Sequence, residues 1–248
     1  MAGHSKWSNI KHRKGAQDAK RAKVFTRLGK ELTIAAKEAG GDPNFNPRLR
    51  LAIDKAKAAN MPKDNLERAI KKGTGELEGV DYIEMRYEGY GPEGTAFIVE
   101  VVTDNKNRSA SEVRTAFSRK NGNLGTDGAV SWMFQRKGEI IVPAEGLDSE
   151  EFMMAALEAG ADDILEEDGE FTVLTEPAEC NNVAEELKKA GYTVTEAEVA
   201  MIPDNKVAIT DLETAKKVMA LYEALDDLDD VNDVYSNFDI SDELLEQL

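Results

Sequence analysis

The feature of this sequence that most constrains its fold is a change in the spacing of apolar residues after Gly73. Before this glycine, apolar residues recur every three to four positions, and this spacing predicts amphipathic helices. After it, apolar and charged residues alternate at 83–87, which is typical of a half-buried strand, and an apolar run at 95–103 predicts a central strand. The predicted helices are residues 17–39, a second that starts at Asn46-Pro47, and a third from Pro62 to Gly73.

From Gly138 onward the predicted elements follow the order β-α-β-β-α-β, which is the order of a ferredoxin-like unit. A further helix at 212–225 and a strand at 231–235 come after it. The segment before Gly138 supplies only β-β-α-β, so this last pair could complete it and leave the ferredoxin-like unit as an insertion. We therefore predict an α+β protein of three domains: a basic helical domain with an N-terminal arm at 1–79, an α+β domain at 80–136 plus 205–248, and a ferredoxin-like α+β domain at 137–204.

The composition indicates a globular, cytoplasmic chain. A length of 248 residues with 41% hydrophobic residues is enough for two or three domains. No run approaches the roughly 18 apolar residues that a membrane span needs, and the N-terminus lacks the apolar stretch of a signal peptide. The single cysteine, Cys180, excludes an internal disulfide and a cysteine-based zinc site. An acid-poor start also fits a transit peptide, although Trp7 and the later basic residues favour a working segment.

Charge is divided along the chain. Residues 1–75 contain 18 Lys and Arg against 7 Asp and Glu, a net charge of +11. Residues 76–248 contain 13 against 41, a net charge of −28, and the two parts sum to −17. A uniformly acidic chain would repel nucleic acid, whereas a basic segment joined to an acidic body can dock on a polyanion with one end.

The basic residues of the first segment are the candidate nucleic-acid interface, because clustered cations usually contact phosphates. The start of the chain is basic up to Gly15, and Trp7 could stack on a base or pack on the helices. On the first predicted helix the cations lie opposite the apolar stripe. The alternative for the start is a solvated tail. The candidate contacts are Lys6, Trp7, Lys11, His12, Arg13, Lys14, Lys20, Lys23, Arg27, Lys30, Arg48, Arg50, Lys55 and Lys57.

No motif in the sequence predicts catalysis, a cofactor or a metal. Gly89–Gly94 matches the spacing G-x-G-x-x-G, but a strand rather than a helix is predicted after it, so we interpret it as a hairpin turn. Histidine occurs only at His4 and His12, and Cys180 has no histidine near it in sequence. The acidic residues at 226–233 could attract a divalent ion, but they lack the ligand spacing of a calcium loop, so a solvated acidic turn is predicted.

Two polar loops add further candidate contacts. Residues 104–108 follow the central strand, and residues 122–128 follow a predicted helix that starts at a capping box, Ser109–Glu112. A strand is predicted at 131–135. Asparagines and glycines that serve turn geometry are an equally good interpretation of both loops. The candidate loop contacts are Asn105, Asn107, Arg108 and Asn123.

Five motifs occur in order along the chain: Met1–Trp7, Asn46–Arg50, Tyr87–Pro92, Thr103–Arg108 and Gly122–Gly125. Together they resemble the YebC/PmpR family over essentially the whole length. The resemblance implies a three-domain fold with a helical N-terminal domain and two α+β domains. It also implies a non-enzymatic regulator of gene expression, usually labelled a DNA-binding transcriptional regulator.

The nature of the target stays open at the level of sequence. Mitochondrial relatives resemble translational activators, and bacterial members of the family are also discussed as ribosome-associated translation factors. The sequence shows no clear recognition helix of the kind that reads bases in a DNA operator. A basic arm joined to an acidic body favours RNA or the ribosome as the target. A protein–protein adaptor acting through the acidic C-terminal domains also fits, and would need no polyanion.

Overall fold

The computed structural model describes residues 17–167, 169–245 and 247–248. Its contacts divide the chain into two compact units. Of the described residues, the larger unit contains those up to Phe134 together with Pro203–Leu248, and the smaller unit is Gln135–Ile202. Among the described residues, no helix is long and apolar enough to cross a membrane.

The elements alternate between helices and strands after an all-helical start. The helices are α1 (Gln17–Ala39), α2 (Pro47–Ala58), α3 (Lys63–Gly73), α4 (Lys106–Arg119), α5 (Ser149–Ala159), α6 (Cys180–Lys189), α7 (Leu212–Asp226) and α8 (Asp242–Leu245). The strands are β1 (Ile83–Tyr90), β2 (Ala96–Thr103), β3 (Asn123–Leu124), β4 (Phe134–Pro143), β5 (Asp163–Glu167), β6 (Glu170–Thr175), β7 (Glu196–Pro203), β8 (Val207–Ile209), β9 (Val231–Ser236) and β10 (Phe238–Ile240).

The first three helices form where the apolar spacing predicts them, and they share one core. Asn46 caps α2 by accepting a hydrogen bond from the Leu49 N–H, and its side-chain amide donates to the Ala35 and Gly40 carbonyls at 2.7 and 2.8 Å. Gly73 ends α3 against α1, where an added Cβ would lie only 2.2 Å from the Thr33 carbonyl oxygen. The end of α3 therefore requires a glycine for close packing.

A four-stranded sheet in the larger unit has the order β3-β1-β2-β9. β1 and β2 form an antiparallel hairpin, and β9 pairs antiparallel with β2 from the C-terminal part of the chain. The C-terminal strand predicted at 231–235 therefore lies in this sheet. Phe97 of β2 packs edge-on against Phe117 of α4, with ring centroids 6.3 Å apart, in a core shared with α7.

The smaller unit runs β4-α5-β5-β6-α6-β7, and its sheet has the order β5-β6-β4-β7. Phe152 of α5 stacks on Phe171 of β6 at 4.3 Å between ring centroids. Cys180 is fully buried, and its thiol lies 3.3 Å from the Glu198 carbonyl oxygen. The predicted α+β class is confirmed, and the division into three domains stays a prediction.

Three local predictions are tested at element ends. The predicted capping box is wrong, because α4 starts earlier: Asn105 is its cap and accepts from the Arg108 N–H at 3.1 Å, which places Ser109 inside the helix. The predicted strand at 131–135 is a short 3₁₀ turn at Ser131–Met133 followed by β4. A strand does follow the G-x-G-x-x-G motif, as predicted, since β1 leads through a turn into β2.

Candidate nucleic-acid interface

The N-terminal arm lies outside the described residues, so its predicted contacts stay predictions. The same holds for the side chain of Lys20, whose backbone belongs to α1. The candidate contacts that fall outside the described residues are Lys6, Trp7, Lys11, His12, Arg13 and Lys14.

The predicted basic face of α1 contacts the acidic residues at the end of α7. Arg27 donates to the Asp226 carboxylate at 2.8 Å and also to the Asp226 carbonyl oxygen. Lys23 donates to the same carbonyl at 2.5 Å and lies 3.5 Å from the Asp227 carboxylate. Partial burial and the neighbouring Arg27 charge lower the pKa of Lys23, against the two carboxylates that raise it. These two cations therefore already have anionic partners within the chain.

Lys30 corrects the prediction of a solvent-facing basic surface most clearly, since only 8% of the residue is exposed. Its Nζ donates to the carbonyls of Val102 and Asp229 at 3.0 and 2.9 Å, and to the Asp230 carboxylate at 3.1 Å. All three hydrogens of the ammonium are used by these acceptors. Lys30 thus joins α1 to the end of β2 and the start of β9, and it leaves no donor for a phosphate.

Asp230 is the centre of this network and not part of a solvated acidic turn, which corrects the prediction for 226–233. Its second oxygen accepts from Arg108 at 2.7 and 3.0 Å, from Thr103 at 2.9 Å and from Ser109 at 2.8 Å. Burial alone would raise the pKa of Asp230, but the hydrogen bonds from Arg108, Ser109, Lys30 and Thr103 outweigh it and lower the pKa to about 2. The aspartate is therefore charged at neutral pH and anchors several elements at once.

The basic residues of α2 are also engaged within the chain. Arg48 donates to Glu31 at 2.8 Å and to Glu38 at 2.9 Å, and it forms a third ion pair with Glu84. Arg50 donates to two carbonyls in the loop before α2, at 3.0 and 3.1 Å. Lys55 is half-buried, and Lys57 is exposed 3.9 Å from Asp54. Of this group, Lys57 is the cation best placed for a phosphate.

The candidate loop contacts take structural places. Asn105 caps α4, and Arg108 pairs with Asp104 and Asp230. Asn107 is exposed in the first turn of α4, and Asn123 is exposed in β3, opposite Tyr90. All four residues are exposed, but the side chains of Asn105 and Arg108 are held within the chain, so the alternative of turn and cap geometry describes these two.

Sequence reasoning missed the cations of α3. Arg68, Lys71 and Lys72 are exposed, and none of them forms an ion pair within the part of the chain that the structure describes. Lys71 and Lys72 occupy the last turn of the helix, where unpaired carbonyls favour positive charge. The sequence signal that could have identified these cations is the absence of Asp and Glu from residues 68–75.

A cavity of about 350 Å³ lies beside these cations, between α1, α3 and the segment before β1. Buried Thr33, Met61 and Ala69 line its depth. Phe25 and Tyr82 supply aromatic walls, and its exposed rim consists of Asn65, Arg68 and Lys72. Burial and then the charges of Asp104 and Asp230 raise the pKa of the Tyr82 hydroxyl, which therefore stays neutral at physiological pH.

Two aromatic side chains protrude into solvent elsewhere in the larger unit. Phe45 is 83% exposed in the loop before α2, which Arg50 holds through backbone carbonyls. Trp132 is 70% exposed, and its indole N–H donates to the Ala129 carbonyl at 3.1 Å. Exposed aromatic faces of this kind are typical stacking platforms for unpaired bases.

The loop that carries Trp132 is organised by a buried glutamate. Glu88 accepts hydrogen bonds from the N–H groups of Gly128, Val130 and Ser131 at 2.8–3.1 Å. Burial raises the pKa of Glu88, but these backbone donors outweigh it, and the net pKa is lowered.

Among the described residues, no group of three His, Cys, Asp or Glu side chains is arranged to hold a metal ion.

Comparison with known proteins identifies similar chains along the whole length. The family model for the TACO1/YebC protein N-terminal domain matches residues 5–76, and the model for the TACO1/YebC second and third domain matches residues 82–238. A probable transcriptional regulatory protein of Fusobacterium nucleatum is 75% identical over 248 residues, with 100% of both chains covered. One from Geobacter sulfurreducens is 58% identical over 248 residues, also with 100% of both covered. The crystal structure of a conserved hypothetical protein from Aquifex aeolicus matches with a TM-score of 0.83 at 48% identity, covering 92% of this chain and 94% of that one.

Proposed function

Because the chain belongs to the TACO1/YebC family, we propose that it is a cytoplasmic, non-enzymatic regulator of gene expression that binds nucleic acid through its first 75 residues. The relatives from Fusobacterium nucleatum and Geobacter sulfurreducens are named probable transcriptional regulatory proteins, which supports a regulatory role. The charge of +11 over this segment gives it the attraction for a polyanion that the rest of the chain lacks.

The observation that carries the proposal is the set of exposed cations on α3. Arg68, Lys71 and Lys72 have no described carboxylate partner, so a phosphate backbone would supply their counter-charge. Lys23, Arg27 and Lys30 of α1, by contrast, contact carboxylates of the same chain. The interface is therefore centred on α3 and on the basic arm that precedes α1.

Contacts to phosphates fit this surface better than readout of bases in a major groove. A recognition helix presents free side chains to base edges, but Arg48 and Arg50 of α2 are held by glutamates and by backbone carbonyls. The α3 cations sit on one helix without a dedicated set of amide or carboxylate partners that would orient them toward a base. Affinity is then set by phosphate neutralisation and depends strongly on salt.

The salt dependence of binding tests the proposal. In a triple variant, Arg68→Ala, Lys71→Ala and Lys72→Ala, the slope of log affinity against log salt should fall by about 3 on duplex DNA and about 2 on a single strand, since each neutralised phosphate contributes about 0.9 or 0.7. Fluorescence anisotropy with labelled oligonucleotides at several salt concentrations measures this slope for the intact chain.

A matched control removes the same charge from another place. Lys188, Lys189 and Lys216 are exposed, and within the described part of the chain each forms an ion pair with a glutamate three residues away. Replacing these three with alanine lowers the net charge by the same three units as the α3 triple variant does. The control should keep the wild-type slope. Equal slopes in both triple variants would contradict the proposed interface.

A further inference from the structure

We infer that the cavity between α1, α3 and Tyr82 receives an unstacked base of a single-stranded nucleic acid. The inference rests on the proposed function and adds the form of the ligand: one base inserted in the cavity, with its flanking phosphates on the rim. Three features of the cavity support it: its volume, its chemistry and an unfilled position in α1.

The volume is large enough to receive a base. A volume of about 350 Å³ falls in the range of about 300–1,000 Å³ that small-molecule sites occupy. Buried Met61 and Ala69 give apolar surface beside buried Thr33 and Lys30, and Phe25 and Tyr82 add aromatic side chains to the lining. A base that enters can contact apolar and aromatic surface, which is the sequence-tolerant part of single-strand recognition.

The rim supplies polar groups of the appropriate kind. Arg68 and Lys72 lie four residues apart, so they share one face of α3, and both line the opening. Asn65, three residues before Arg68, brings an amide that can both donate to and accept from a base edge. The same opening is therefore lined by cations that can contact the phosphates of the nucleic acid and by an amide that can contact the base.

Gly29 is the unfilled position. It lies in the middle of α1, where glycine costs roughly 1 kcal/mol relative to alanine. Apart from its chain neighbours and the nearby backbone of its own helix, no described atom lies within 4 Å of the place that its Cβ would take, and Gly29 lines the cavity. Protein packing therefore does not require the glycine, whereas an inserted group would use the space that it leaves open.

A single strand fits this cavity better than a duplex does. A base in a duplex must lose its pairing and its stacking before it can enter, at a cost of a few kcal/mol. A base in a single strand is already free to turn toward the protein. Insertion therefore favours single-stranded RNA or DNA over the same sequence in a duplex.

The test fills the cavity without changing any charge. Gly29→Leu places a side chain in the opening, and Ala22→Leu, at an exposed position of the same helix outside the cavity, is the matched control. Anisotropy titrations of the full-length chain use a single-stranded RNA 12-mer and its duplex at one fixed salt concentration. We expect Gly29→Leu to weaken binding of the single strand about 5- to 160-fold, the effect of losing one stacked base. Duplex affinity of this variant, and both affinities of the Ala22→Leu control, should stay within about twofold of wild type.

A cross-linking readout accompanies the titration. The 12-mer carries 4-thiouridine, and irradiation followed by mass spectrometry should locate the adduct on Phe25 or Tyr82 in wild type and remove it in Gly29→Leu. Wild-type affinity of Gly29→Leu for the single strand, or adducts only outside the cavity, would overturn the inference and leave the proposed function standing. If the wild-type protein bound neither the single strand nor the duplex, both this inference and the proposed function would be wrong.

Discussion

The substitution Lys30→Met tests whether the buried ion pair with Asp230 holds the helical segment to the sheet. The change removes the charge from a site that is almost fully buried and deletes three hydrogen bonds, to Val102, Asp229 and Asp230. Methionine keeps most of the apolar volume of the side chain, so the measured loss reports the polar contacts and not a cavity.

The expected loss of stability is about 3 kcal/mol. Breaking a buried pair by removing one partner costs about 3–5 kcal/mol, because the other charge is left uncompensated. The lower end applies here, since Asp230 keeps its hydrogen bonds from Arg108, Thr103 and Ser109. For a chain of this size, about 2–4 °C per kcal/mol converts the loss into a fall in Tm of about 6–12 °C.

Two measurements and one control check the value. Urea unfolding gives the free energy, and hydrogen exchange should show faster exchange in α1 and β9 while the β5–β6 hairpin of the other unit keeps its protection. The control is Lys37→Met on the same helix, whose lysine is 53% exposed at its side chain and pairs with exposed Asp81. An exposed pair contributes at most about 1 kcal/mol. Equal stability of the two variants would refute the structural role of Lys30.

The pH dependence gives an independent check through Asp230. Its pKa lies at about 2 in the folded chain, below the ordinary 3.8, so its charge stabilises the fold by about 2–3 kcal/mol above pH 4, and this is lost as the pH falls toward 2. Asp230→Asn has no carboxylate to protonate. Its stability deficit against wild type should therefore be constant above pH 4 and should shrink below it; parallel curves down to pH 2 would contradict the assignment.

Two further variants probe single positions. Gly29→Ala should raise the free energy of unfolding by about 0.5–1 kcal/mol, measured in urea, because alanine is the better helix former and its Cβ meets open space; a destabilised variant would show that the position is already filled. Glu88→Gln should destabilise by about 1–3 kcal/mol at pH 7, since an amide cannot accept all three backbone N–H groups. The pKa of Glu88 is lowered, so this deficit should narrow as the pH falls through that pKa, and a deficit independent of pH down to 3 would contradict it.

The elements of the fold follow from the sequence because their signals are local. Apolar spacing and the Asn46-Pro47 cap place the first helices within a residue or two of their observed bounds, and alternation places β1. The start of α4 was missed because the deciding contacts are not local. Asn105 and Ser109 both offer a capping oxygen, and the choice depended on Thr103 and Asp230, which bind the Ser109 hydroxyl and come from different parts of the chain.

The burial of Lys30 could not be predicted from the helix alone. Its position opposite the apolar stripe is correct, but a helix between two neighbours can be covered on both sides. Its covering partner Asp230 lies 200 residues away in sequence. The structural role of the acidic residues at 226–230 could not be predicted for the same reason, since their partners in α1 are about 200 residues away. The cavity at Tyr82 is likewise lined by segments that are distant in sequence.

The division of charge along the chain overstates the positive surface that a polyanion meets. Lys23, Arg27 and Lys30 contribute to the charge of +11 in the first 75 residues, yet their counter-charges lie at 226–230. A fragment ending at Gly75 would lack the aspartates that pair with these three cations. It would therefore bind phosphate through groups that form ion pairs in the intact chain. Affinity of such a fragment therefore cannot locate the interface, and the α3 cations and the cavity beside them must be tested in the full-length chain, where the acidic segment still neutralises α1.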